Sequence, residues 1–208
     1  MKTKKGAKKA VKYVRELSIV VIGIAITLTG NEWISNRNEK KVMQSNLKAV
    51  KFELEENLKT IDEVGAFYGK TTEFAQYLLS DKPENLSQDS LNQYRYIIGR
   101  TYTITFKTSA FEMLKMSGTI RLIKDNDFLK SILDTYTQME DSKQANNLYM
   151  NRKDDEMYKF SLDNNSVNIH NITALENRRL FYFFALDNGI EKSFWECSQQ
   201  IKRTLALF

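Results

Sequence analysis

Residues 16–37 read ELSIVVIGIAITLTGNEWISNR, and their character decides how the rest of the chain is to be read. Across 17–28 every residue except Ser18 and Thr27 is apolar or glycine, and no ionisable group interrupts the run until Glu32. A helix over 17–34 would be about 27 Å long at 1.5 Å per residue, enough without excess for a hydrocarbon core of about 30 Å. Leu17, Ile19, Val20, Val21, Ile22, Gly23, Ile24, Ile26 and Leu28 are therefore the expected lipid-facing anchor. Trp33 suits the interfacial layer, where an indole buries its ring and keeps its N–H wet.

The flanks orient this stretch. Lys2, Lys4, Lys5, Lys8, Lys9, Lys12 and Arg15 precede it against the single acid Glu16, whereas on the far side Arg37, Lys40 and Lys41 are offset by Glu32 and Glu39. Positive charge stays on the cytoplasmic side, so the N-terminus is expected inside and everything after Trp33 outside. Lys4, Lys5, Lys8, Lys9, Lys12 and Arg15 carry that topology signal and are placed to touch anionic lipid. A cleaved secretory signal shares the basic start and apolar run, but no A-x-A-like site follows, and Thr27, Leu28 and Thr29 before Gly30 are a poor substitute. A buried core helix would not abut seven cations.

The 208-residue chain leaves room for this anchor and one domain large enough to bury a core. Its formal charge of +5 does not point to nucleic acid, because residues 1–16 contribute a net +6 and the remainder nets −1. A lone cysteine, Cys197, excludes an intrachain disulfide, and its neighbours Phe194 and Trp195 mark it as a small buried apolar residue rather than a reactive thiol.

One proline, Pro83, and eight glycines leave few obligatory breaks, so the expected fold class is all-α. From residue 35 to about 80 apolar side chains recur at spacings of three and four, which predicts a helix leaving the membrane directly. Within it Leu47, Leu54, Ile61 and Tyr68 fall seven apart, as do Met43, Val50, Asn57 and Val64, a heptad seam with Asn57 at one polar position. Leu47, Val50, Leu54, Asn57 and Ile61 could thus pair with a second copy, leaving a homodimer open. Leu58 and Phe67 widen the stripe beyond such a seam, and that favours a bundle within one chain.

Asp81, Lys82 and Pro83 should end this helix, and Ser87 or Asp89 should cap a second one through Leu91, Tyr94, Ile97 and Ile98. TYTITFK at 101–107 alternates at period two, but with no second strand in view it reads as an extended connector. Ser109 and Glu112 have the spacing of a capping box, and Gly118 that of a left-handed helix end. Asp125 should cap a long helix to about residue 160, its apolar stripe passing through Phe128, Ile132, Leu133, Tyr136 and Met139, then Leu148, Met157 and Phe160. Residues 162–171 read as a surface loop. Thr173 and Glu176 form a second capping box before the apolar 180–186, and an amphipathic helix runs from Ile190 through Leu207.

The residues Glu16, Val20, Val21, Ile22, Gly23, Ile24, Ile26, Leu28, Asn31, Trp33 and Arg37, in that order, resemble the opening of a family of uncharacterised single-pass membrane proteins abundant in Bacteroidota. The chain departs from that pattern at Thr27, Gly30, Glu32 and Ile34, where the family more often has Ala, a large apolar residue, Asn and Asn. The resemblance resumes at 110–123, AFEMLKMSGTIRLI, and is looser elsewhere. It implies an inner-membrane anchor carrying a helical domain in the periplasm, with 1–16 as basic cytoplasmic segment, 17–34 as transmembrane signal anchor and 35–208 as outer domain. It supplies no catalytic residues.

Chemistry is hard to find in the residues themselves. His170 is the sole histidine, and it lies in a polar loop. Asp163-Asn164-Asn165 and Asp125-Asn126-Asp127 lack the central glycine and closing glutamate of a calcium loop. Glu53, Glu55 and Glu56 diverge around a helix and read as a solvated face, and no phosphate loop, nucleophile elbow or C-x-x-C occurs. The expectation is a non-enzymatic, cofactor-free and metal-free single-pass protein whose helical domain binds or scaffolds a protein partner. Two alternatives stand beside it: an envelope hydrolase with an acidic site, recognisable by a deep polar pocket of convergent carboxylates, and a small-ligand sensor, recognisable by a closed apolar cavity.

Overall fold

The computed structural model describes residues 3–79, 100, 102–163, 183 and 189–208, and of residues 3–16, 78 and 160–163 the backbone alone. Among them every regular element is helical: α1 (Thr3–Leu79), α2 (Ser109–Met116), a 3₁₀ turn (Thr119–Leu122), α3 (Asn126–Asp163) and α4 (Gly189–Leu205). The protein is all-α, a long N-terminal apolar helix continuing into a bundle of long helices. The Pro83 terminator, the Ser87 or Asp89 cap with the helix after it, the loop from 164 with His170 and the Thr173 capping box lie outside the described residues. So does the apolar 180–186 run, except Phe183, whose ring stacks on Tyr149 at 5.5 Å.

α1 is one unbroken helix of 77 residues, about 115 Å end to end at 1.5 Å per residue. In its apolar stretch the side chains of Leu17, Ile22, Ile24 and Leu28 are each more than half exposed. The polar side chains there are satisfied internally, since Thr27 Oγ1 donates to the Gly23 carbonyl and Thr29 Oγ1 to that of Ala25, both at 2.8 Å. A lipid environment requires that self-sufficiency, because hydrocarbon offers no partner for a stray hydroxyl.

Further along, α1 enters the bundle. Val50, Leu54, Ile61, Val64 and Tyr68 are buried together with Ile132, Tyr136 and Met139 of α3 and Phe194, Cys197 and Ile201 of α4. Burial pushes the Cys197 thiol up to about 12, in line with its expected role as packing. Pairings fix the directions. Glu53 meets Tyr136, and Tyr68 meets Asn146, so α1 and α3 run the same way. Asp62 meets Ser198, and Ser131 meets Thr204, so α4 is antiparallel to both.

Residues 102–108 have no regular secondary structure, as expected of a connector. They descend antiparallel to α1 in the groove between α1 and α3, with Ile104 buried to 1% exposure. α4 fills the other groove between the same two helices. At the lower end Gly118 takes φ 67°, the left-handed conformation predicted for the end of α2. Asp125 Oδ1 then accepts from the backbone N–H of Asp127 and Phe128, both at 3.0 Å, and starts α3 as predicted.

The capping box at Ser109 does not form. Thr108 holds the N-cap position, no side chain of the local sequence caps the helix, and Glu112 pairs outward with Lys115 at 2.9 Å. Glu53 of α1 accepts instead from the N–H of Ala110 at 2.7 Å and of Phe111 at 3.3 Å. A buried carboxylate already fixed by α1 outcompetes a local hydroxyl that is itself exposed. Ser109→Ala is therefore expected to shift the thermal melt of the detergent-solubilised chain by less than the equivalent of about 0.5 kcal/mol, and a loss of about 1 kcal/mol, the usual worth of an N-cap, would restore the local box.

Two further expectations need correction. The spacing puts Leu133 and Leu148 on the apolar stripe of α3, yet they are 42% and 66% exposed. Beyond Met139 the buried face of α3 passes instead through Ser142, Asn146, Tyr149 and Lys153, which keep the helical spacing while exchanging apolar for polar side chains.

Candidate functional site

Three features offer chemistry: the seam of α1, the polar interior beside it, and the open groove between α1 and α4. The seam residues Val50, Leu54, Asn57 and Ile61 are each no more than 1% exposed, and Leu47 is half-buried against the same core. They face the chain's own domain, because the stripe is wider than a two-helix seam and α3, α4 and the connector cover it. Asn57 shows this most directly. Its Nδ2 donates to the Lys107 carbonyl and its Oδ1 accepts from the Lys107 N–H, both at 2.8 Å, so one side-chain amide does for the connector what a neighbouring strand would.

The same provision recurs up the groove. Asn146 Nδ2 donates to the Tyr102 carbonyl at 2.8 Å, and Tyr68 Oη donates to Asn146 Oδ1 at 3.0 Å. Lys153 Nζ donates to the Arg100 carbonyl. Irregular backbone in an interior must find partners, and here helical side chains supply them. Burial lowers the Lys153 ammonium to about 8, with nearby Asp154 opposing the shift. Burial likewise pushes the Tyr68 phenol up to about 12. At the lower end Tyr136 Oη donates to Glu53 Oε1 at 2.5 Å, and burial together with that carboxylate raises the Tyr136 phenol far above its ordinary range. Each of these groups is engaged in holding backbone, Tyr136 through Glu53, an arrangement that stabilises the fold.

Glu53 does not belong to the solvated acidic face its sequence neighbours suggest; it is 5% exposed, while Glu55 is open to solvent and Glu56 pairs with Lys59 at 2.8 Å. The signal that would have found it is its place one turn before Asn57, on the inner side of the stripe.

The groove lies higher on α1. Gly65, Ala66 and Gly69 form its floor, and Glu191, Trp195 and Gln199 of α4 its opposite wall, around a cavity of about 890 Å³ open to solvent. A Cβ at Gly69 would meet nothing within 4 Å. Trp195 stands at the rim, 63% exposed. Of the acids lining it, Asp62 accepts from Ser198 Oγ at 2.7 Å and pairs with Lys202 at 3.6 Å, whereas Glu191 Oε1 is buried without a hydrogen-bond partner. Among the described residues no group of three or more His, Cys, Asp or Glu could hold a metal ion.

The anchor residues from Leu17 to Trp33 all lie on α1, in the one helix among the described residues long and apolar enough to cross a membrane. Lys4, Lys5, Lys8, Lys9, Lys12 and Arg15 lie on the helix before it. No family model matches the chain, and neither the curated proteins nor the solved structures yield a match.

Proposed function

We propose that this chain is a single-pass inner-membrane protein with a cytoplasmic N-terminus, whose periplasmic helical domain is a binding or scaffold module for a protein partner and carries no catalytic site. The observation that carries the reading is α1 itself, an exposed apolar stretch that continues without a break into a packed, electrically balanced domain. The groove between α1 and α4 is the natural docking place. Its glycine floor lets a partner's backbone approach closely, and the exposed Trp195 offers the kind of aromatic anchor on which interfaces concentrate their energy. It is open and rimmed with charge, which favours a protein surface over a small apolar ligand enclosed between helices. In keeping with the resemblance noted above, the basic flank argues for the orientation, by the bias of cations toward the cytoplasm.

The test has two arms. Protease added to spheroplasts is expected to digest the domain after Arg37, and intact mass to retain residues 1–30; a protected domain, or a chain starting near Gly30, would end the anchor reading. In the second arm, crosslinking in intact membranes should capture a protein with the wild-type chain and lose it with Gly69→Phe, which fills the groove without a clash at Cβ. Capture unaffected by that substitution would move the docking place elsewhere, and hydrolysis of envelope material abolished by Glu191→Gln would replace binding with catalysis.

A further inference from the structure

We infer that the corner joining α2 to α3 rests on the bilayer that holds α1, with Arg121 taking a lipid phosphate. This rests on the reading of 17–34 as a membrane span. The chain's descent from the bundle core toward the membrane can be followed contact by contact. Ala110 and Phe111 are held at Glu53, Ser117 Oγ accepts from Asn46 Nδ2 at 3.1 Å, and Arg121 Nη2 donates to Glu39 Oε2 at 3.0 Å. Each step lies lower on α1, and Glu39 is only five residues beyond Ile34.

Because α1 is continuous, that count is a height. Five residues rise about 7 Å, and the headgroup layer on each side of a bilayer is about 5 to 8 Å thick. The apolar stretch, about 27 Å long, falls slightly short of a core of about 30 Å, so the bilayer thins or its flanks are drawn toward the lipid. Six residues below Glu39, the indole of Trp33 marks the inner edge of that layer, with the Arg37 guanidinium 5.6 Å from its ring centroid.

The chemistry at this height suits phosphate. The Arg121 side chain is 70% exposed and spends one nitrogen on Glu39, leaving the rest of its planar fork directed outward. Lys124 stands on the same corner, and Lys40 and Lys41 on the adjoining turn of α1, all exposed. The acids nearby are partly occupied: Glu39 by Arg121, and Asp125 by the N-terminal N–H groups of α3. Arginine bound to a carboxylate at a membrane surface exchanges or shares that partner with lipid phosphate at little cost, since both accept in the same bidentate geometry.

The experiment uses the full-length chain in bilayers of mixed anionic and zwitterionic lipid, with a fluorophore attached at an introduced cysteine; Cys197 is buried and does not compete. A label at Lys124→Cys should be quenched by a nitroxide on the lipid headgroup, and a label at Leu148→Cys, on the far half of α3, should not. Adding Arg121→Gln should cut the quenching at Lys124→Cys by about half or more, while Glu39→Gln, which releases Arg121, should preserve it. A label at Ile24→Cys, quenched by a mid-chain nitroxide, tests the span separately. If Ile24→Cys is quenched and Lys124→Cys behaves like Leu148→Cys, the resting corner is wrong while the anchor stands. If quenching at Lys124→Cys is indifferent to Arg121→Gln, the phosphate contact is wrong. An unquenched Ile24→Cys removes the span, and this inference with it.

Discussion

Glu53→Ala is expected to cost about 3 to 5 kcal/mol. The carboxylate accepts from Ala110 N, Phe111 N and Tyr136 Oη, and it is 5% exposed. Truncation strands two N–H donors at the first turn of α2 and the Tyr136 hydroxyl of α3, and opens a void beside the stacked rings of Phe111 and Tyr136, whose centroids are 4.0 Å apart. Each orphaned donor in such a place costs about 1 to 3 kcal/mol, and the lost negative charge also stood at a helix N-terminus. Glu53→Gln keeps an acceptor oxygen and should recover about half of the loss. Denaturation of the detergent-solubilised chain, followed through tryptophan emission from Trp195, provides the measurement. A double-mutant cycle with Tyr136→Phe should show coupling of about 1 kcal/mol or more. If Glu53→Ala costs under about 1 kcal/mol, the carboxylate does not start α2.

Asn57→Leu should cost about 2 to 4 kcal/mol and leave the mass of the protein unchanged. Leucine keeps the branched skeleton with bulkier ends, so the loss combines two forfeited hydrogen bonds to Lys107, both at 2.8 Å, with some crowding in the buried site. Were Asn57 instead facing its twin in a two-helix seam, the same substitution would strengthen the assembly or change its order, because a polar residue there sets register at a cost in stability. Asn57→Asp makes a second discrimination. It retains an acceptor for the Lys107 N–H but turns an oxygen toward the Lys107 carbonyl, so it should be no better tolerated than leucine. Light scattering beside chemical denaturation separates the outcomes, and a variant that is more stable and heavier than wild type would restore the seam between copies.

How far these contacts were legible depends on how far apart their partners lie in the chain. The apolar stretch of α1 could be read directly, since lipid as a solvent imposes composition residue by residue. The α1 stripe, the Gly118 turn, the Asp125 cap and the connector were equally local, each written within a few neighbouring residues. Glu53 shares the inner face with Asn57 one turn on, yet its task was not legible, because the N–H groups it meets are 57 and 58 positions away. The upper half of α3 failed for a related reason. Apolar spacing points to Leu148, while the face turned inward holds Asn146 and Lys153, because what lies opposite is irregular backbone in need of donors. Polar residues at core spacing were the unread signal, and they are also why the interior contains titratable groups. The groove left no trace in the sequence beyond Gly65 and Gly69, since a hollow between two helices is defined by what neither side chain fills.

The unbroken course of α1 also sets a bearing. With no hinge between the apolar stretch and the core, the azimuth at which the groove faces its surroundings is fixed by the number of residues intervening. One residue added within 35–42 would swing the domain by about 100° about the helix axis and raise it by about 1.5 Å. Seven would return the groove to within about 20° of its starting direction, though some 10 Å farther from the lipid. Height and heading can therefore be varied separately by counted insertions, and a partner held in the same membrane would sense the two changes differently.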